Sequence, residues 1–209
     1  MPTPTFWNLD PDKRERLIEA SMHEFALHEF AVAKIDHIAA ASRVAKGSFY
    51  QYFDNKQDLY ITTVDQALQQ AWSFFKQQIE KRPPQTCFDL LYQAIVQMFD
   101  LVEQHPELAA LYARVVHEPS SHLQHTLYPT YQAYSDEFHQ RFYEQGLEGG
   151  DIHPALSKSV VRFQVHALGT RWNSIILTGD RPNWLPSGTI KLKPLIHESI
   201  ACLRRAVMP

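Results

Sequence analysis

The chain is predicted to be all-α, and three observations carry that prediction. Apolar residues recur at helical spacing through most of its length, helix-capping and helix-breaking residues punctuate the pattern, and no run alternates as a half-buried strand does. Asp10-Pro11 sets a good N-cap before a proline suited to the first helical position. Leu17, Ile18, Ser21, Met22 and Phe25 then share one face to about His28. Ile35, Ile38, Ala39 and Ser42 mark a second, short helix, and a third runs from about Ala45 to Tyr52. Asp54-Asn55 can cap a fourth, Lys56 to about Lys81, which Arg82-Pro83-Pro84 ends. Helices follow over Cys87–Gln104 and Pro106–Val116, and His117-Glu118-Pro119-Ser120 breaks the pattern. A long helix reaches about Gln145, with Pro129 as a point of interruption. After the loop Gly146–Pro154 come Leu156–Thr178, a second loop Gly179–Gly188, and a last helix Thr189–Val207. That makes about nine helices, with no internal repeat and no low-complexity segment.

The 209 residues are 44% hydrophobic, enough for a real core and against disorder. No run of about 18 apolar residues would span a membrane, and MPTPTFWNLDPDKRER has no apolar signal core. Cys87 and Cys202 stand far apart, which excludes a disulfide framework and makes a reducing cytoplasm the expected location. Net charge is -3, and residues 1–60 carry seven Lys/Arg against nine Asp/Glu, so composition gives nucleic-acid binding no support. Locally the balance differs: Lys34, Arg43, Lys46 and Lys56 face only Asp36 and Asp54 between residues 34 and 56. Placement at phosphates, not the chain total, governs DNA affinity.

Residues Ile35 to Lys56, IDHIAAASRVAKGSFYQYFDNK, read as two short helices joined by a tight turn. A helix that enters a major groove needs a slim polar tip, an outer face of donors and bulky anchors on its inner face. Ala45-Lys46-Gly47-Ser48 supplies the tip. Phe49 and Phe53, four apart, are expected to pack on Ile35, Ile38 and Ala39. Tyr50 and Tyr52 are expected to fall outward, because so short a helix cannot bury both faces, with hydroxyls for phosphates and rings for thymine methyls. Lys56 opens the next helix, where its ammonium and the helix N-terminus both favour a phosphate.

On these residues the chain resembles the TetR/AcrR family of transcriptional regulators. The resemblance covers residues 11–60 and rests on Phe25, Phe30, Ile35, Ile38, Ala39, Val44, Lys46-Gly47-Ser48, Phe49-Tyr50, Tyr52-Phe53, Asn55-Lys56 and Leu59. It implies a three-helix helix-turn-helix domain (residues 1–55) and a helical ligand-binding and dimerisation domain (56–209). It also implies a homodimer, usually a repressor, on a palindromic double-stranded DNA operator, released by a small-molecule effector. By motif match Lys46, Gly47, Ser48, Tyr50, Tyr52 and Lys56 would contact DNA; Lys34 and Arg43 lie where the chain departs from the pattern and are expected to reach phosphates instead. The chain departs from the family at four points. Arg43 replaces a turn glycine, Ala45 a serine, His28-Glu29 a glycine that ends the first helix, and Ala33-Lys34 a capping Thr/Ser. The departures at Arg43 and Ala45 are the one support for a rival reading, a small-molecule-binding or protein-interaction protein with a vestigial DNA-binding head.

Beyond residue 60 the chain is rich in aromatics, which form core and can also line an apolar pocket. The pocket candidates lie beside helix breaks or polar neighbours: Tyr92, Phe99, Tyr112, His117, Tyr131, Tyr134, Phe138 and Trp172. Glu103, Glu118 and Glu137 are candidates to meet a cationic ligand. Among eleven histidines, His122 and His125 are three apart with His105 and His117 nearby, but no cysteine joins them. No metal site and no cofactor are expected. No Gly-x-Ser-x-Gly, phosphate loop or His-Glu-x-x-His occurs, so no enzyme is expected. The last two helices carry more apolar residues than one buried stripe needs, which suits a four-helix seam across a two-fold axis.

Overall fold

The computed structural model describes residues 2–117 and 121–208, with backbone alone at 117 and 121–124. Helix is the only regular secondary structure among the described residues, which contain no strand. Ten helices follow one another: α1 (Pro4–Trp7), α2 (Pro11–Leu27), α3 (Ile35–Ser42), α4 (Lys46–Tyr52), α5 (Lys56–Lys81), α6 (Cys87–Gln104), α7 (Pro106–His117), α8 (Ser121–Glu148), α9 (Lys158–Thr178) and α10 (Thr189–Val207). Pro129 lies inside α8 without ending it. α9 starts two residues after Leu156 because Ser157 caps it, its hydroxyl accepting the Val160 amide. No described helix is long and apolar enough to cross a membrane.

The helix absent from the sequence reading is α1. Four residues long, it has no periodicity to read, only a proline at its start. Tertiary contact holds it. Phe6 is buried with its ring 4.9 Å from that of Phe53. Thr3 donates from its amide to the Tyr52 carbonyl (2.9 Å) and from its hydroxyl to the Gln51 carbonyl (2.7 Å). Carbonyls in the last turn of a helix lack intrahelical donors, so the segment before α1 serves as a C-terminal cap for α4.

The chain forms two compact units, one of residues 1–71 and 106–131, the other of 72–105 and 132–209. The first holds the helix-turn-helix. Leu17, Phe25, Ile38, Phe49, Phe53, Leu59 and Tyr60 are fully buried, and Arg114 of α7 donates to the Ala26 carbonyl near the end of α2. In the second unit the core is built by Leu90, Leu91 and Ile95 of α6, Phe142 of α8, Val161, Val165, Trp172 and Ile175 of α9, and Ile196 and Ile200 of α10.

Candidate nucleic-acid interface

The turn between α3 and α4 is as tight as the sequence suggests. Arg43 takes the left-handed conformation (φ 58°, ψ 36°) that its family position gives to glycine. A side chain there costs roughly 1 kcal/mol, and the turn forms nonetheless: the Arg43 amide reaches the Ala40 carbonyl and the Val44 amide the Ala39 carbonyl. The Arg43 side chain is exposed. Ala45 is the N-cap of α4 and offers no side-chain acceptor.

α3 also lacks a side-chain cap of its own. Glu24 of α2 compensates. One carboxylate oxygen accepts the Lys34 amide (2.8 Å), and the other meets His37 Nδ1 (3.1 Å). Burial pushes the Glu24 carboxyl up, but the Lys34 amide, His37 and His28 outweigh it, so its pKa lies below the ordinary value.

α4 has a clear inner face. Phe49 and Phe53 are buried, with stacked rings 5.5 Å apart. Lys46, Gly47, Tyr50 and Gln51 are exposed, and Ser48 is half-buried. Tyr50 is 58% exposed, its ring edge-on to Phe49. Lys46 pairs with Asp36 of α3 at 2.7 Å, a hydrogen bond that raises its pKa. A Cβ built on Gly47 would have no neighbour within 4 Å, so nothing within the described residues requires glycine there.

Two expected outward residues turn inward. Tyr52 is 4% exposed; Lys13 of α2 donates to its hydroxyl (3.2 Å). A seven-residue helix does bury two faces here, because α1 and α2 cover the side that α3 leaves open. Lys56 is spent on its own chain. Its ammonium donates to the carbonyls of Ala33 (3.0 Å) and Ala31 (3.3 Å) and sits 4.8 Å from the Phe30 ring centroid, pinning the loop before α3. Lys34 and Arg43 are exposed.

The pocket candidates do not converge. Tyr112 and Tyr131 belong to the first unit, their rings 5.8 Å apart. Burial first, and the neighbouring phenol next, hold the Tyr112 hydroxyl well above its usual range. His117 ends α7, but its side chain lies outside the described residues, as do those of His122 and Glu118. The other five sit in the second unit. Trp172 is a core residue, buried with its indole N–H on Ser199 Oγ at 2.9 Å. Tyr92 and Phe99 pack against the same core.

Phe138 alone among the eight is a wall residue of a cavity of about 460 Å³ in the second unit, with Trp72, Phe75, Ile79 and Leu90. Tyr134 stacks on Trp72 at 5.3 Å. Glu137, expected to be open to a cationic ligand, is paired with Lys76 (3.0 Å) and accepts the Trp72 indole N–H (3.2 Å). The sequence reading missed Trp72, Phe75 and Ile79 as a wall, since spacing cannot distinguish a lined cavity from core.

With this geometry in view, residues 17–62 match the family model described as bacterial regulatory proteins, tetR family. Over 60 residues the chain is 38% identical to the HTH-type transcriptional repressor SCO4008 of Streptomyces coelicolor, a match covering 28% of this chain and 31% of the relative. The chain thus spans about a third of the length of the curated relatives it matches. Whole-length likeness appears in solved structures. The transcriptional regulator FadR from Bacillus subtilis, crystallised with stearoyl-CoA, aligns with a TM-score of 0.69 at 18% identity, over 89% of this chain and 96% of that one. A TetR-family regulator structure from Mesorhizobium loti aligns at 0.72 with 13% identity, over 96% and 100%. Those identities speak for the fold, and both curated relatives are described as HTH-type transcriptional regulators or repressors. The buried anchors, left-handed turn and outward tip of α4 all fall inside the matched residues, so it is over residues 17–62 that the chain is similar to the tetR family of bacterial regulatory proteins.

Proposed function

We propose that this chain is a cytoplasmic, homodimeric, ligand-responsive transcriptional regulator. It acts as a repressor on a palindromic operator and leaves it when a small-molecule effector binds. The observation that carries the DNA reading is the division of α4: Phe49 and Phe53 anchor it, while Lys46, Gly47 and Tyr50 stand outward, and Lys34 and Arg43 are exposed at the two ends of α3. Such a face suits a helix lying in a major groove. The intact turn at Arg43 counts against a vestigial head.

The test is a mobility shift with the chain's own promoter fragment. Lys46→Ala and Tyr50→Ala are expected to weaken binding at least about tenfold while leaving helicity and oligomeric state unchanged. Lys46→Ala should also flatten the salt dependence by roughly one phosphate contact. Undiminished shifts in both variants would sink the DNA reading.

Effector binding is assigned to the second-unit cavity. Its wall joins the apolar and aromatic Trp72, Phe75, Ile79, Leu90 and Phe138 to four charged residues of balanced sign, Lys76 and Arg141 against Glu80 and Glu137, with Lys76 and Glu137 paired, which favours a ligand with a large apolar part and no strong net charge. α5 contributes residues 56–71 to the first unit and 72–81 to the second. A ligand that prefers one position of its C-terminal half biases the DNA-binding end by that differential affinity.

Dimerisation is assigned to α9 and α10. Val160, Phe163 and Ala167 form an exposed stripe on α9, Phe163 being 70% exposed. Beside it α9 and α10 flank a groove of about 450 Å³ lined by Val160, Ala167, Leu168, Leu203 and Val207. A two-fold partner would cover this apolar surface with its own copy. Phe163→Asp is expected to convert the dimer into monomers in light scattering; a wild-type chain already monomeric at micromolar concentration would refute the assignment.

A further inference from the structure

Glu24, His28 and His37 bring one carboxylate oxygen and two imidazole nitrogens within 4.8 Å of one another, the one such metal-competent group among the described residues. Glu24 lies in the last turn of α2, and His28 is the C-cap residue that follows the helix, its amide bonded to the Glu24 carbonyl. His37 comes from the first turn of α3. Glu24 Oε2 and His37 Nδ1 are 3.1 Å apart. Zinc bonds of about 2.0–2.1 Å to nitrogen and oxygen separate tetrahedral ligands by roughly 3.3 Å, so this pair already stands near a coordination edge. The carboxylate is also oriented. Its other oxygen accepts the Lys34 amide at 2.8 Å, the kind of outer hydrogen bond that fixes metal-binding carboxylates. Glu24 is buried, His28 half-buried and His37 exposed, so the group opens to solvent on one side, where water can complete the shell.

We propose that Glu24, His28 and His37 bind one divalent transition-metal ion of the zinc type. Two imidazoles with a carboxylate suit Zn²⁺ and its neighbours Co²⁺ and Ni²⁺. Calcium and magnesium demand oxygen ligands, and Cu(I) prefers sulfur. The ion ties the end of α2 to the start of α3, the frame from which the turn and α4 hang. It replaces the proton shared between His37 and Glu24 and leaves the Lys34 amide bond in place. None of the three residues is a proposed DNA contact or lines the effector cavity, so the site stands or falls without the operator.

Untagged full-length chain, stripped with chelator, is titrated with Co²⁺ while its visible d–d bands are followed, and with Zn²⁺ by calorimetry. One equivalent per chain is expected. His28→Ala and His37→Ala should each weaken binding at least about tenfold with helicity unchanged, since neither side chain is in the core. Zn²⁺ should raise the melting temperature of the wild type and leave that of His37→Ala unmoved. A His122→Ala, His125→Ala chain is expected to bind as the wild type does. No stoichiometric binding, binding that survives both single substitutions, or binding lost with the His122 and His125 pair would overturn the proposal.

Discussion

Replacing Gly47 by alanine is expected to make the chain more stable and worse at holding DNA. Glycine in a helix interior is about 1 kcal/mol less favourable than alanine, somewhat less in a first turn. Gly47 is the second residue of α4, and an added Cβ would meet nothing within 4 Å. The fold therefore gains, by about 2–4 °C in melting temperature per kcal/mol for a chain of this size. If the tip of α4 enters a groove, the same methyl lands where DNA approaches, and affinity for the promoter fragment should fall by about tenfold, or roughly 1.4 kcal/mol. Thermal melting and a mobility shift on one preparation read both effects. Unchanged DNA affinity would mean that this face of α4 does not lie against DNA.

Truncating Phe53 to alanine is expected to have the largest effect on stability. Its ring is fully buried, 4.9 Å from Phe6 and 5.5 Å from Phe49, so it joins α1 to the end of α4. Removing a buried phenylalanine costs about 3–5 kcal/mol, the transfer term plus the cavity left behind. Against a total stability of about 5–15 kcal/mol that is a major fraction. Denaturant unfolding followed by circular dichroism should show the loss, and DNA binding should go with it. Phe53→Leu, which keeps most of the volume, should retain most of the stability. A midpoint unmoved by Phe53→Ala would show that the α1–α4 contact is not part of the cooperative fold.

The anchors of α4 were legible because Phe49 and Phe53 are four apart, a spacing that puts both on one side of a helix. The turn was legible too: Arg43 sits between two helical patterns where the chain must reverse. Tyr52 was misread because α1, the element that helps cover it, is too short to leave a period in the sequence. Lys56 looked like a phosphate donor beside a helix start, but two carbonyls and a ring more than twenty residues earlier hold it. Trp172 looked like a pocket residue and is core, because its indole N–H finds Ser199 on the next helix.

By itself the sequence determined the all-α class, nine of the ten helices among the described residues, the place of the helix-turn-helix and the family that segment resembles. All of these are written in local spacing, capping residues and a short motif, which depend on neighbours a few positions away. Only the tertiary structure decided which aromatics line a cavity, that Glu24 supports α3 in place of a cap, and that Glu24, His28 and His37 meet. These depend on which helix faces end up opposed, and that is set by packing across the chain, where sequence separation carries no record of distance.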